Sequence, residues 1–135
     1  MDWVFSLHLF LTFYMTGLIW FVQLVHYPLM GKVGIEYFQA YEQAHTQRTS
    51  WVVAPQMVAE LATGLWLWYH AWQTPWHWLN TGLLALIWAS TFFVQVPLHN
   101  RLTQGFEAAA HRQLVQSNWL RTIAWTLRSA LLLCI

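Results

Sequence analysis

Asn118-Trp119-Leu120-Arg121-Thr122-Ile123-Ala124-Trp125-Thr126-Leu127-Arg128 places two arginines and an asparagine inside an otherwise apolar run. Asn118, Arg121, Trp125 and Arg128 recur at steps of three, four and three residues, so in a helix they share one face. An arginine at membrane depth is unfavourable by roughly 2.5 to 3.5 kcal/mol on insertion scales. It is retained where it faces other helices and meets a carboxylate, a carbonyl or water. Glu60 is the only acid inside another long apolar stretch, and it is the expected partner.

The composition around this stretch belongs to a membrane. Of 135 residues, 58% are hydrophobic, 18% aromatic and 8% charged, against about 25% charged residues in soluble domains. The length suits one domain, residues 1–135. A net charge of +1 with scattered cations offers no surface to nucleic acid. The single cysteine, Cys134, excludes an internal disulfide and a cysteine metal cluster. Met1-Asp2-Trp3 lacks a positive n-region and leads into a long apolar run, which reads as a retained first span.

Four spans are expected, over about 3–28, 51–72, 76–97 and 118–135, giving an all-α polytopic membrane protein with its helices in a bundle. Pro55 falls in the first turns of the second span, where it kinks a helix without forbidding it. Gln73-Thr74-Pro75-Trp76 makes a tight turn between antiparallel spans two and three. Residues 31–50 and 98–117 are polar, and each suits an interfacial amphipathic helix. Their apolar faces are Ile35, Phe38 and Tyr41 in the first and Leu102, Phe106 and Ala109 in the second. Loop cations follow spans one and three, so the positive-inside rule places both termini outside and both polar segments in the cytoplasm. Trp3, Trp51, Trp72, Trp76, Trp78 and Trp119 mark span ends as an aromatic belt does.

An internal repeat runs through the chain. Phe21-Val22-Gln23 followed by Pro28-Leu29 resembles Phe93-Val94-Gln95 followed by Pro97-Leu98, and each leads through a polar segment to Trp51 or Trp119. Glu60 and Arg128 stand equally far beyond those tryptophans, both about 14 Å deeper along a helix. Two tandem copies of span, interfacial helix and span are expected, over about 3–72 and 76–135.

Each span carries one polar stripe: His8, Thr12, Thr16, Gln23 and His26; Gln56, Glu60, Thr63 and His70; Thr81, Trp88, Thr91, Gln95 and His99; and the stripe of span four. Polar stripes turned inward make a binding site from Glu60, Arg121, Arg128, Asn118, Gln56, Gln95, Trp88 and Trp125. In it Glu60 holds Arg128, and Arg121 is left to face an anion. Gln56, Gln95 and Asn118 orient the ligand, and Trp88 with Trp125 forms an aromatic wall. His26 and His99, each near a glutamine at the same end of parallel spans, are candidate axial ligands of a haem. His45 and His111 read as solvated, and Glu42→Gln as a far milder change than Glu60→Gln. Gly-rich phosphate loops, a serine elbow and an HExxH motif are absent from the sequence.

Val96-Pro97-Leu98-His99-Asn100-Arg101-Leu102 with Gly105-Phe106, and then Asn118-Trp119-Leu120-Arg121-Thr122 with Trp125-Thr126 and Arg128, resembles a group of bacterial four-helix membrane proteins. The chain is more distantly similar to the anthrone-oxygenase-like membrane proteins through Pro97, His99 and Asn118. The first resemblance implies a bacterial inner membrane. The second implies oxidation of an aromatic or polyketide substrate. Three functions are therefore expected in order. The first is binding of an amphipathic or aromatic small molecule or lipid, as a homo-oligomer or as accessory subunit of a larger membrane complex. The second is a membrane oxidoreductase using haem, quinone or an aromatic substrate. The third is a proton-coupled transporter, disfavoured because Arg128 would hold Glu60 ionised and occupied.

Overall fold

The computed structural model describes residues 2–134. The chain is 89% helix, and no strand occurs among the described residues. The helices are α1 (Asp2–Phe21), α2 (Tyr27–Met30), α3 (Ile35–His70), α4 (Pro75–Ser90), α5 (Val96–Leu102) and α6 (Ala108–Leu133). The expected end of span four, Ile135, lies outside the described residues.

Two wide π-type turns, Val22–His26 and Thr91–Gln95, join α1 to α2 and α4 to α5 without breaking the rod. The cause is the proline that follows each. Pro28 and Pro97 have no N–H, and their rings crowd the carbonyl four residues back. In the widened turns Tyr27 N–H bonds the Val22 carbonyl and Val96 N–H bonds the Thr91 carbonyl, so the helix runs on through the proline. Both bulges fall on the Phe-Val-Gln repeats. The order of bulged rod, short connection and long helix occurs in both halves of the chain.

The polar segment 31–50 is not a helix of its own. Its residues 35–50 form the first half of the 36-residue α3, because neither glycine nor proline interrupts the chain between Ile35 and Pro55, and Pro55 itself sits in mid-helix. Residues 98–117 likewise divide between α5 and α6, around a connection in which Gly105 takes φ +142°. The expected apolar faces hold in part: Phe38 and Leu102 are buried in one apolar cluster, and Tyr41 and Phe106 pack against it. Ile35, however, is 79% exposed, and Glu42, one turn on from Phe38, is buried. On α6 Ala110 is buried where Ala109 was expected.

α1 packs against α3 and α6, and α4 packs against the same two helices. One apolar cluster, with Tyr27, Met30, Phe38, Leu102 and Leu114, closes the end near the two connections; another, with Met15, Ile19, Met57, Ile87 and Trp125, lies between the rods. The interior also buries Glu42, Glu60, Asn118, Arg121, Arg128, Gln23 and Gln95, whereas Trp3, Phe10, Leu24 and Phe93 are exposed. The rods Trp3–Met30 and Pro75–Leu102, each 28 residues with mean hydropathy 1.6, are long and apolar enough to cross a membrane. The buried polar groups of α3 and α6 lower the hydropathy of those helices.

Candidate functional site

Two polar centres lie inside the helices. The first is closed. Arg128 and Glu60 are fully buried, and Arg128 Nη1 donates to Glu60 Oε1 at 2.5 Å. Trp125 Nε1 donates to both Glu60 oxygens, at 3.2 and 3.1 Å. The remaining arginine nitrogens reach Asn80 Oδ1 at 2.9 Å and His8 Nε2 at 3.3 Å. Arginine only donates, so His8 Nε2 accepts and its proton sits on Nδ1, directed at Thr63 Oγ1 2.8 Å away. α1, α3, α4 and α6 therefore all supply a side chain. Gly64 makes room for this: a Cβ there would lie 3.1 Å from the His8 ring and 3.2 Å from Leu84.

The second centre is open. A cavity of about 520 Å³ lies between α3 and the α4–α5 rod, backed by α1 and by Arg121 of α6. Arg121 is 6% exposed. It donates from Nη1 to Asn118 Oδ1 at 3.3 Å, and its Cζ lies 5.3 Å from the centre of the Trp125 ring. Its Nε is buried without a partner, and among the described residues it joins no ion pair. Gln95, Trp88, His45 and His99 also line the cavity. Gln95 Nε2 donates to Ser117 Oγ at 2.9 Å, and Trp88 Nε1 is buried without a partner.

Beside the cavity stands a chain of titratable groups that begins in the polar half of α3. Glu42, fully buried, bonds His99 Nδ1 through Oε1, while its Oε2 has no partner. His99 Nε2 faces the Tyr27 hydroxyl at 3.0 Å. His45 Nδ1 meets His26 Nε2 at 2.9 Å and Thr49 Oγ1 at 3.1 Å.

The expected residues thus divide between the centres. Glu60, Arg128 and Trp125 form the closed one; Arg121, Gln95 and Trp88 line the open one. Trp125 is not a cavity wall, since its indole is sealed against Glu60, though its ring face touches Arg121 and so joins the two centres. Asn118 orients Arg121 and donates to Gln23 Oε1 at 2.9 Å instead of facing the cavity. Gln56, half-buried on α3, lines neither centre. His70, placed by its spacing on the inner stripe, is exposed and stacks on Trp66.

The haem expectation does not fit. His45 packs against both His26 and His99, with ring centres 4.4 and 5.5 Å away, so the two proposed axial imidazoles have no open slot between them. Nor are His45 and His111 solvated. His45 is half-buried in the chain just described, and His111 Nε2 donates to the Tyr27 carbonyl at 2.7 Å. Asn80 and Glu42 were not foreseen. Asn80 belongs to a buried face of His77, Asn80, Leu84 and Ile87, about one residue round from the expected Thr81 stripe. For Glu42 the available signal was its helical spacing from Phe38 and His45.

No family model, curated protein or solved structure matches the chain.

Proposed function

We propose that this chain is an integral membrane protein that binds an amphipathic small molecule or lipid, with the anionic head on Arg121 and the apolar body in the cavity beside it. All four long helical rods cross the bilayer in this reading, with the connections near residues 31–34 and 103–107 on the cytoplasmic side. The inside-out distribution of polarity supports insertion: charged side chains are buried together, and Trp3 (72% exposed), Trp51 (71%) and Phe93 (82%) face outward.

Arg121 carries the functional reading. Arg128 has a carboxylate and an amide; Arg121, almost as enclosed, has an amide oxygen, an aromatic face and the neighbouring Tyr27 hydroxyl, and no carboxylate. A buried guanidinium with an unpartnered N–H beside a cavity suits a carboxylate or phosphate that arrives with a ligand. About 520 Å³ is within the range that accepts drug-sized molecules. Exposed Val58, Phe92 and Val96 rim the cavity, so a ligand dissolved in lipid enters sideways between α3 and α4–α5.

The test is native mass spectrometry of the protein in mild detergent with palmitate added. One palmitate per chain is expected. Arg121→Gln should weaken binding about tenfold or more, the worth of a charge-assisted hydrogen bond. Equal palmitate occupancy in wild type and Arg121→Gln would remove the arginine from the account. A phospholipid retained in place of palmitate, and lost in Arg121→Gln, would identify a headgroup phosphate as the anion.

A further inference from the structure

We propose that Glu42, His45 and His99 form a binding site for a divalent first-row transition-metal ion that takes mixed nitrogen and oxygen ligands, such as Zn²⁺, Fe²⁺ or Co²⁺. The proposal stands on different side chains from Arg121 and does not depend on the ligand reading.

The three residues come from α3 and α5, and one donor atom from each lies within 4.8 Å of the others. Donors bound tetrahedrally to one ion at about 2.0 to 2.2 Å lie about 3.3 to 3.6 Å apart. Closing the site therefore needs side-chain shifts of up to about an ångström. The available atoms follow from the hydrogen bonds. His45 Nδ1 is taken by His26 and Thr49, which leaves Nε2. His99 Nε2 is taken by Tyr27, which leaves Nδ1, the nitrogen that faces Glu42. Glu42 Oε2 is buried and has no partner, an unmet acceptor that a cation satisfies.

The outer contacts are those of a ligand set. Metal-bound imidazoles are oriented through their second nitrogen, and here His26 holds His45 while Tyr27 holds His99. Tyr27 also lies 3.4 Å from Gln95 Oε1, so its hydroxyl can turn to that oxygen when His99 Nε2 keeps the ring proton. Two imidazoles and a carboxylate suit zinc or non-haem iron and not the oxygen cage of magnesium or calcium. Three protein ligands leave coordination positions open. Because His45 and His99 line the cavity, those positions face it. A metal here is a route to the oxidoreductase alternative that requires no haem.

The deciding experiment is a Co²⁺ titration of tag-free, chelator-stripped, full-length protein in mild detergent, read by visible ligand-field absorption and by elemental analysis after desalting. Wild type should bind one equivalent and release it to Zn²⁺. His45→Ala and His99→Ala should each abolish the absorption, Glu42→Gln should weaken it, and Glu36→Gln, at an exposed carboxylate of α3, should leave it intact. Folded wild-type protein that gives no ligand-field band overturns the proposal; so does a band that persists in both histidine variants. If an alanine variant loses its helical circular dichroism, His45→Gln or His99→Gln is used in its place, and the same loss is expected.

Discussion

Glu60 and Glu42 are both carboxylates without solvent exposure, both on α3, and both opposite a basic side chain from the second half of the chain. Their surroundings differ in completeness. Glu60 has a guanidinium and an indole N–H, and both of its oxygens are engaged. Glu42 has one imidazole, and one oxygen has nothing. A buried ion pair whose hydrogen bonds are complete holds helices in register. A buried group with unused capacity beside a cavity is available to something that arrives from outside. The same contrast separates Arg128 from Arg121.

The sharpest way to break this contrast is Glu60→Gln. It leaves Arg128 enclosed without a counter-charge and should cost about 3 to 5 kcal/mol of stability, measured by unfolding in mixed detergent micelles. A loss below about 1 kcal/mol would mean that water reaches the pair. Glu42→Gln comes next, at about 1 to 3 kcal/mol, the range for disturbing one buried hydrogen bond. That gap is narrower than the sequence implies, because Glu42 is not in a solvated segment. Equal losses for the two variants would erase the distinction between the centres.

Replacing both members of the closed pair, as Glu60→Leu with Arg128→Met, should recover most of the single-variant loss and end within about 2 kcal/mol of wild type. Additive losses would instead make each residue's other contacts, to Asn80, His8 and Trp125, the dominant ones. Arg121→Gln has the smallest expected effect on stability. It should fall within about 1 kcal/mol of wild type, since no carboxylate is orphaned, while palmitate binding declines. A collapse of stability comparable to that of Glu60→Gln would make Arg121 a second structural arginine.

Much of this was legible in one dimension. Apolar length marked the two rods, although the prolines read as their ends lie inside them, and helical spacing set Arg121 and Arg128 on one inward face. The scarcity of acids singled out Glu60 as the partner of that face, and the two residues meet. Periodicity carries an angular error of about one residue, roughly 100° of helix. That error hid Asn80 behind Thr81 and Ala110 behind Ala109.

The division of labour between the two centres was decided only by tertiary structure. Spacing states that Asn118, Arg121, Trp125 and Arg128 share a face, but it does not say which of them meets a carboxylate and which meets a cavity. That depends on the rotation of α6 against α1 and α4. Glu42 and His45 looked solvated because the sequence around them is polar. They are enclosed because α3 continues unbroken past the connection and α5, carried beyond Pro97 by its π-type turn, lays His99 against them. A sequence determines which side chains a helix offers. Burial, and with it the pairing of charge, is set by what another part of the chain places opposite.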